Sequence, residues 1–502
     1  MSDRVTRRRA IGRGFGVAAM AGQGGWWIGA RAEDSATQAA AVDGISVAIL
    51  GCGIRGPAHA EELAGRHGAR VTWLCDPDRG RAEKLADLVA TKQATRPRVA
   101  SDLRTVLDDA ALDTVTVATP NHWHALAAIL AMEAGKDVYV EKPVCHSIEE
   151  GQRLAATARR LGRVCQGGTQ ARSLACLREA RALIAAGGIG TPTVARMLYT
   201  SHRPPIGGPG TFAPPAGVNY DLFSGPAPLA PLTRPQFHYD WHWFWTTGDG
   251  DLGNNGIHFL DAARNMLGLE GPGSATLSFG TRAGYADAAE TPHTQTSITL
   301  FPDVTLVTEI RNLKIAADID GLGTGVQIHG SEGSVVWRSQ SPEVTVLDPA
   351  GGVVKTLTGE GNHFGNHVAN FFSAVRAHDP RLLAAEIGEG VQSTALCHLG
   401  NVSWRLGDEV PFEAIVDRLA TRYPRDDAGK LVARVRQMLV ENGCEPAGGT
   451  IRCGPWVDSA AGKATSADAL VSDSGPVLAD AGARALERLD YRAPFLLPPP
   501  RG

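Results

Sequence analysis

The 502-residue sequence lacks the signatures of several common enzyme and binding classes. It contains neither the H-E-x-x-H motif of zinc proteases nor the G-x-S-x-G turn of serine hydrolases, so we expect no metal and no serine nucleophile. Its eight cysteines include no C-x-x-C pair and no zinc-site spacing, and Cys444 with Cys453 is the one candidate disulfide. Lys and Arg number 49 against 53 Asp and Glu, and the net charge of −4 provides no basic field for a nucleic-acid partner.

Long hydrophobic runs are also missing, and we expect no stable membrane span. The most apolar segment near the N-terminus, residues 15–30, is short and rich in Gly and Ala. It follows Arg7-Arg8-Arg9 and ends in Ala30-Arg31-Ala32, a small-residue cleavage pattern. This combination is typical of a twin-arginine (Tat) signal, a route that exports folded proteins. We therefore predict that residues 1–40 are a signal and linker and that the protein is periplasmic or otherwise extracytoplasmic; a disordered basic tail is the alternative.

The sequence does contain a glycine-rich turn between a strand and a helix. Residues 45–50 are apolar and rich in β-branched side chains, as expected of a buried parallel strand. Gly51-Cys52-Gly53-Ile54-Arg55-Gly56 follows directly, and residues 57–68 have helical character. A second predicted strand, 70–75, ends at Asp76, which lies 20 positions after the last glycine. This spacing is the dinucleotide-binding fingerprint in its required context.

Each part of the fingerprint has a physical role. The first glycine permits the tight turn, the second lets the backbone approach the pyrophosphate at the helix N-terminus, and the third lets the helix pack on the strand. Asp76 is placed to accept hydrogen bonds from the adenosine ribose and to repel a 2′-phosphate. NAD is therefore the predicted cofactor, and Arg79 and Arg81 keep NADP as the less favoured alternative.

Strands and helices continue to alternate to about residue 170. Repeated βα units predict a doubly wound parallel sheet, in which ligands bind at the carboxyl ends of the strands. Further strands are expected at 98–100, 114–118, 137–140 and 163–166. The segments at their carboxyl ends include Thr119-Pro120-Asn121-His122-Trp123-His124, Glu141-Lys142-Pro143 and Gly168-Thr169-Gln170.

These segments, in this order, strongly resemble the Gfo/Idh/MocA family, named for glucose–fructose oxidoreductase, inositol dehydrogenase and a rhizopine-catabolism protein. Gly253-Asn254-Asn255-Gly256-Ile257-His258 with Asp261 is similar to a second family motif, and the resemblance covers residues 45–410. It implies an α/β chain with an N-terminal Rossmann domain and a C-terminal α+β domain, whose largely antiparallel open-faced sheet commonly mediates oligomers. We expect a signal and linker at 1–40, the NAD-binding domain at 41–165, a substrate and oligomerisation domain at 166–410, and an extension of unknown role at 411–502.

The second half of the sequence supports this division. Residues 296–301 and 304–310 are β-rich and separated by Pro302-Asp303, which predicts a hairpin. Residues 364–375, 386–406 and 426–441 have helical character. For the extension beyond residue 410, a subunit-wrapping arm and a disordered end are the two alternatives.

The resemblance also implies the residues that handle the proton. Lys142 matches the family's catalytic lysine, and the bond before Pro143 is one that the family suggests is cis. His258 matches the family's acid/base position, where an imidazole pKa near 6.5 would suit proton exchange. The family often has Asp where this chain has Asn254, so we expect Asp251 to substitute. The predicted catalytic residues are Lys142, His258 and Asp251.

Cofactor contacts are predicted at the glycine loop, at Asp76 and at the later strand ends. Asn121 has an alternative structural role, since Asn at the start of a helix commonly caps it. The predicted cofactor-binding residues are Gly51, Gly53, Ile54, Arg55, Gly56, Asp76, Thr119, Pro120, Asn121, His124, Glu141, Lys142 and Gln170.

An aromatic segment at 238–245 is the remaining candidate for binding. Tryptophans alternate at 241, 243 and 245, which predicts a strand with an aromatic face. Indole rings stack on the apolar faces of sugar rings, although a buried core strand is the alternative. The predicted substrate-binding residues are Trp241, His242, Asn254 and His258.

Together these features predict an NAD-dependent oxidoreductase that acts on a sugar or polyol hydroxyl and assembles as a homo-oligomer. One alternative is a glycoside hydrolase that uses tightly bound NAD in a cycle of oxidation, elimination and reduction. The second alternative is a nucleotide-binding protein without turnover.

Overall fold

The computed structural model describes residues 44–314, 322–359, 362–423, 427–446, 448–459, 481–487 and 491–498. The predicted export signal at 1–40 lies outside the described residues. Among the helices described, none is long enough and apolar enough to cross a membrane.

The N-terminal half of the described chain folds around a six-stranded parallel sheet of order β3-β2-β1-β4-β5-β6. The predicted doubly wound sheet is confirmed, and each of the six strands lies where the sequence indicated. β1 is buried along almost its whole length, as expected of a central parallel strand. The strands are β1 (Ile45–Leu50), β2 (Ala69–Cys75), β3 (Arg98–Ala100), β4 (Thr114–Val117), β5 (Asp137–Val140) and β6 (Cys165–Gly167). The helices are α1 (Arg55–Leu63), α2 (Arg79–Gln93), α3 (Leu103–Leu107), α4 (Asn121–Glu133) and α5 (Ile148–Leu161).

The C-terminal half is built on a second sheet, of order β14-β13-β12-β11-β7-β10-β9-β8-β16-β15, with β17 also paired to β8. Of its described strand pairs, only β7–β10 is parallel, and the predicted hairpin is the β9–β10 pair. The strands are β7 (Pro192–Thr200), β8 (Ala275–Thr281), β9 (Thr294–Leu300), β10 (Thr305–Arg311), β11 (Gly325–Gly330), β12 (Ser334–Arg338), β13 (Glu343–Leu347), β14 (Val353–Thr358), β15 (Asp408–Pro411), β16 (Thr450–Cys453) and β17 (Val457–Asp458). The helices are α6 (Ala175–Ala185), α7 (Tyr220–Ser224), α8 (Ile257–Leu267), α9 (His363–Ala377), α10 (Ile387–Arg405), α11 (Phe412–Ala420), α12 (Ala428–Glu441) and α13 (Ala481–Glu487).

The two halves share one central helix, α10. Ile387, Val391 and Ala395 pack into the core of the first domain, while Leu396 and Cys397 pack into the core of the second. The helix is buried around nearly its whole circumference, which is typical of a helix with apolar neighbours on every side. Because both domains pack on α10, the strand ends of the first domain face fixed positions on the second.

One face of the second sheet is covered by the C-terminal extension. Apolar side chains of α11 and α12 form a core cluster with Leu277, Phe279, Ile298 and Val307 of β8, β9 and β10. Over these strands the sheet is therefore not open, in contrast to the open face that the family resemblance implies. Within its described residues, much of the extension is an integral layer of the second domain.

The last described segments return to the first domain. Ser147 caps the N-terminus of α5 by accepting from the Glu150 backbone N–H, and Glu487 of α13 accepts from the Ile148 N–H at 2.7 Å. The Tyr491 hydroxyl donates to Glu150 at 2.5 Å. These contacts attach the C-terminal segment to the start of α5.

Two local predictions are wrong. The tryptophan segment is not a strand: Asp240–Trp243 forms a 3₁₀ turn in which the Trp241 indole donates to the His238 carbonyl at 3.2 Å. The first two of the alternating tryptophans therefore lie in a 3₁₀ turn and not in an extended strand. Cys444 and Cys453 are both free thiols and do not form the candidate disulfide; each lies in the apolar cluster under α11 and α12.

Candidate active site

A solvent-accessible cleft of about 1380 Å³ separates the strand ends of the first domain from the second domain. It lies at the carboxyl ends of β1, β2, β4 and β5, where doubly wound sheets bind ligands. Gly56, Gln170, Asp251 and His258 are predicted site residues that lie outside its lining. The predicted residues in its walls are Gly51, Gly53, Ile54, Arg55, Asp76, Thr119, Pro120, Asn121, His124, Glu141, Lys142, Trp241, His242 and Asn254.

The glycine loop is shaped by two close backbone approaches. Gly51 has a φ of +90°, and a Cβ atom there would lie 2.4 Å from the Ala118 carbonyl oxygen. A Cβ atom at Gly56 would lie 2.2 Å from the Gly51 carbonyl oxygen. Only glycine fits these two positions, whereas a Cβ atom at Gly53, which lines the cleft, would lie 3.4 Å from Arg81 Nη1.

Asp76 lies at the tip of β2, in the wall of the cleft. Its carboxylate accepts from the Cys52 N–H at 2.7 Å and from the Asp78 N–H at 2.8 Å. Burial raises the pKa of Asp76, and the two backbone N–H groups oppose that shift. These hydrogen bonds fix the carboxylate next to the glycine loop and leave further lone pairs for ribose hydroxyls.

Glu141 joins the glycine loop to the end of β5. Its Oε1 atom accepts from Arg55 Nε at 2.9 Å and lies 2.9 Å from His59 Nε2. Burial alone would raise the pKa of Glu141, but Arg55, His59 and Lys142 hold it well below its ordinary value. The residue is therefore a buried anion that positions Arg55 at the cleft.

Lys142 extends from the end of β5 across the cleft to the second domain. Its ammonium group donates to the Asn254 backbone carbonyl at 2.8 Å and to Asn254 Oδ1 at 3.3 Å. Burial lowers the pKa of Lys142, while the charge of Glu141 acts in the opposite direction. The Lys142–Pro143 peptide bond is cis, as the resemblance suggested. Asn254 thus acts as a double acceptor for the lysine, a role that an amide performs without carrying a charge.

Asp251 is a hydrogen-bond hub behind the cleft wall. Its side chain is fully buried and pairs with Arg203, whose Nε lies 2.5 Å from Oδ2. It also accepts from the side-chain amides of Asn254, Asn255 and Asn312. The structure thus connects Asp251 to Lys142 through Asn254, and it places Asp251 as a positioning group at one remove from the cleft.

His258 lies one helical turn after Asn254, at the start of α8. Burial and the nearby Lys142 cation lower the pKa of His258 to about 3. This value is below the ordinary imidazole pKa near 6.5, because the ring is desolvated beside a cation. At neutral pH the ring is therefore uncharged, and the predicted role of His258 in proton exchange stays a prediction.

Asn121 and His124 tie the cleft to both domains. Asn121 does not cap α4, whose N-cap is Pro120; its amide instead donates to the buried Asp249 carboxylate at 2.7 Å. His124 Nδ1 lies 2.6 Å from the Pro143 carbonyl oxygen, and Nε2 lies 2.8 Å from that of Thr119. The histidine therefore spaces the two turns that follow β4 and β5.

The aromatic segment forms the far wall despite its different backbone. Trp241 and His242 both line the cleft, with their rings stacked at 3.6 Å between centroids. Burial lowers the pKa of His242 to about 3, so this wall is uncharged. It offers one indole and one imidazole surface to a ligand.

Two functional features were missed by the sequence reasoning. Arg203 lines the cleft just after β7, and Asp249 receives Asn121 from 128 residues away. Neither residue belongs to a local motif, so no sequence spacing indicated them. Asp261 of the second family motif has a structural role, since it accepts from Arg172 Nε at 2.9 Å and from Ser393 at 2.7 Å.

The cleft fits a dinucleotide. Gly51, Gly53 and Asp76 provide the bare backbone and the ribose acceptor that NAD needs. Thr119 Oγ1 and Arg55 Nη2 are buried polar atoms with no hydrogen-bond partner among the described residues, and both residues line the cleft. Unmet groups of this kind are expected where a ligand supplies the partner.

Two family models match the chain. One, described as the oxidoreductase family, NAD-binding Rossmann fold, matches residues 45–169. The other, the C-terminal alpha/beta domain of the same oxidoreductase family, matches residues 211–438. The chain belongs to the Gfo/Idh/MocA family of oxidoreductases. As a member of this family it is an NAD-binding α/β protein, and NAD is the cofactor that the cleft accommodates.

Curated relatives align with only part of the chain. The NAD(+)-dependent scyllo-inositol 2-dehydrogenase of Bacillus subtilis is 34% identical over 149 residues, 30% of this chain and 42% of the relative. A glycosyl hydrolase family 109 protein of Shewanella baltica is 31% identical over 128 residues, 25% of this chain and 28% of the relative. The chain thus spans less than half the length of these relatives.

Much of the fold is shared with a solved dehydrogenase. Levoglucosan dehydrogenase in complex with NADH superposes with a TM-score of 0.54 at 19% identity, covering 71% of this chain and 97% of the solved one. At this identity the likeness shows that the two proteins share a fold, and no more than that.

Proposed function

We propose that the protein transfers a hydride between a sugar or polyol hydroxyl and NAD. The observation that carries this proposal is the lysine of the cleft: Lys142 reaches from the cofactor side to Asn254 and has a lowered pKa. Oxidation of an alcohol needs a group that takes the hydroxyl proton while the hydride leaves. A lysine with a lowered pKa, at the end of a cofactor-binding strand, provides that group.

Each residue around Lys142 has a part in the reaction. Bound in this cleft, NAD supplies the hydride acceptor. The Lys142 side-chain nitrogen takes the hydroxyl proton, and the two Asn254 oxygens hold that nitrogen in place. The uncharged His258 ring lies near Lys142 but outside the lining of the cleft, so it adds no charge beside the lysine. Asp251 keeps Asn254 and Arg203 oriented.

The preference for a sugar or polyol rests on the far wall and on the relatives. Trp241 and His242 present uncharged ring surfaces, which suit the apolar face of a sugar ring. Arg203 is already neutralised by Asp251, so this arginine does not demand an anionic substrate. One relative is named for an inositol and one solved structure for levoglucosan.

A substrate screen tests the proposal directly. The purified protein is mixed with NAD and a panel of sugars, polyols and glycosides, and NADH absorbance is followed beside product analysis. Net NADH formation with at least one sugar or polyol is the expected result. No reduction with any member, from protein that binds NAD, would contradict it and favour binding without turnover.

The second candidate is the redox-neutral glycoside hydrolase, which the 31% identity to a glycosyl hydrolase family 109 protein favours. In that cycle the sugar is oxidised, the aglycone is eliminated, water is added and the sugar is reduced again. Cleavage of a glycoside without net NADH would establish it over the dehydrogenase.

We also propose export by the twin-arginine route. Arg7-Arg8-Arg9 precedes the mild apolar segment at 15–30, and a folded enzyme with a bound nucleotide is suited to that route. Replacing the three arginines by lysine is expected to retain the protein in the cytoplasm. Unchanged delivery outside the cytoplasm, measured by fractionation, would refute the signal.

A homo-oligomer is the last part of the proposal. The edge strand β14 exposes Val353 and Val354, at 68% and 66% of their surface, and apolar edge strands favour pairing with another chain. Sedimentation velocity is expected to show a species larger than one chain, and Val353→Lys with Val354→Glu should reduce it. A monomer at all concentrations would contradict this assembly.

A further inference from the structure

A second cavity adjoins the cofactor cleft on the side away from the glycine loop. Its volume is about 670 Å³ when the solvent-open space at its mouth is included, and it is lined by side chains of the second domain and its loops. Arg203 and Tyr239 line both spaces, and the Arg203 Nη1 group donates to the Tyr239 hydroxyl at 2.9 Å. These two side chains form a shared wall, beyond which the second cavity continues.

Two acceptor atoms in this cavity have no partner. Asp240 and Asn312 are 2% and 1% exposed, and both line the cavity. Asp240 Oδ2 and Asn312 Oδ1 are buried and have no hydrogen-bond partner in the described part of the chain. An unmet buried acceptor is costly, because it has lost its water without gaining a donor. Both atoms therefore require a donor from a bound molecule or from water.

Other buried polar groups of the cavity already have partners. Arg282 is paired with Asp287 at 2.5 Å, and both His293 ring nitrogens lie 2.9 Å from protein oxygens. Arg203 is neutralised by Asp251 on its far side. The two unmet buried atoms both need hydrogen-bond donors, which favours hydroxyl or ammonium groups over a phosphate or carboxylate.

The cavity is also coupled to the reacting lysine. Asn312 donates its amide to Asp251, and Asp251 holds Asn254, which accepts from Lys142. The Asn312 side-chain nitrogen thus takes part in the network that holds the lysine, while its Oδ1 atom is left without a partner beside the second cavity. A ligand there and a ring beside Lys142 would meet at the Arg203–Tyr239 pair, which borders both spaces.

We propose that the second cavity binds a second sugar unit, whose hydroxyl or amino groups donate to Asp240 and Asn312. The substrate would then be a saccharide of at least two units, with one ring at Lys142 and the next beyond Tyr239. This inference rests on the proposed oxidation of a sugar. Burial raises the pKa of Asp240 to about 6, so the carboxylate is anionic at neutral pH and favours an amino sugar over a neutral one.

Calorimetric titration of the NADH-loaded protein tests this inference without turnover. The probes are glucose, cellobiose, glucosamine and its β-1,4-linked dimer. At least one disaccharide is expected to bind about 10- to 100-fold tighter than its monosaccharide, the gain of one or two charge-assisted hydrogen bonds. Asp240→Ala should remove most of that gain. Asp240→Asn should remove it for the amino dimer but preserve much of it for cellobiose, which separates the two donor types.

Two further variants keep the test decisive. Ile206→Trp enlarges a side chain that lines the second cavity and should abolish the disaccharide gain while the monosaccharide still binds. Asp303→Asn, on an exposed turn, is the matched control and should change neither affinity. If no disaccharide binds tighter than its monosaccharide, or if the gain survives Asp240→Ala and Ile206→Trp, the inference is overturned. If only a monosaccharide reduces NAD, the proposed function stands without the second sugar site. If a disaccharide binds tighter but no sugar reduces NAD, the second sugar site stands and the proposed function is contradicted.

Discussion

Each wall of the cleft contains a buried carboxylate paired with an arginine, but the two pairs are encoded differently in the sequence. On the cofactor side, buried Glu141 pairs with Arg55; on the substrate side, buried Asp251 pairs with Arg203. Both carboxylates lie near Lys142 and both orient an arginine at the cleft. Glu141 belongs to a contiguous motif, whereas the four partners of Asp251 come from three separate segments of the chain.

The two carboxylates differ in the number of side chains from which they accept hydrogen bonds. Glu141 accepts from two side chains, Arg55 and His59. Asp251 accepts from Arg203 and from three asparagine amides, and its side chain has no exposed surface. The substrate wall therefore depends on one central acceptor, and the cofactor wall depends more on backbone shape.

The largest effect is expected at the residue that both walls share. Lys142→Ala removes the group that takes the hydroxyl proton and should lower the rate of cofactor reduction by about 10²–10⁴-fold. NAD affinity should change much less, since the glycine loop and Asp76 remain. Single-turnover absorbance of NADH with an identified substrate measures the rate, and Lys92→Ala on the exposed face of α2 is the control. A parent rate from folded Lys142→Ala would exclude the lysine as the base.

The comparison of the two carboxylates predicts unequal losses of stability. Asp251→Asn leaves Arg203 without its counter-ion and removes hydrogen bonds from the asparagine network. We therefore expect a loss of about 3–5 kcal/mol in the free energy of unfolding. Glu141→Gln should lose less, because Arg55 is 35% exposed and water can solvate it, against 21% for Arg203. Urea titrations of both variants, with Asp303→Asn as control, measure the difference. An equal or larger loss for Glu141→Gln would reverse the comparison.

The same contrast explains what the sequence could predict. The glycine loop, Asp76 and Lys142 were found because parallel strands bring their carboxyl ends together whatever their separation in the chain. Arg203 and Asn312 meet Asp251 only after β7 and β10 pair, and no local spacing encodes that pairing. Asn121 was a natural helix cap by its position, but a buried carboxylate 128 residues away takes its amide.

A smaller effect is expected for the cofactor wall at Asp76. Asp76→Ala removes charge-assisted acceptors for the ribose, each worth about 1.5–3 kcal/mol, and should weaken NAD binding by about 10- to 100-fold. The preference against NADP should relax, because the carboxylate no longer repels a 2′-phosphate near Arg81. Fluorescence titration with both nucleotides measures this, with the exposed Asp87→Ala as control. Tighter binding of NADP than NAD by the parent protein would contradict the role of Asp76.

The smallest effect concerns the place where the two domains and the C-terminal segment meet. Glu150 is buried, accepts from the His146 N–H at 2.6 Å and from the Tyr491 hydroxyl at 2.5 Å, and burial raises its pKa to about 7 from 4.5. A carboxyl whose pKa is raised on folding stabilises the fold at low pH, and that contribution is lost as pH rises from about 4.5 to 7.

Glu150→Gln cannot titrate, so its stability relative to the parent should change with pH in a defined direction. Between pH 4.5 and 7 the unfolded parent loses a proton that the folded parent retains. The variant should therefore gain about 1–3 kcal/mol relative to the parent over this range, since each pKa unit corresponds to about 1.4 kcal/mol. Urea titrations at several pH values measure the difference, and the exposed neighbour Glu149→Gln should show no such gain. Because only the pH-dependent part is compared, any constant cost of exchanging an oxygen for an amide cancels. A difference that is flat, or that falls with rising pH, would show that Glu150 is ionised in the fold and that Tyr491 and His146 hold a charge at this junction.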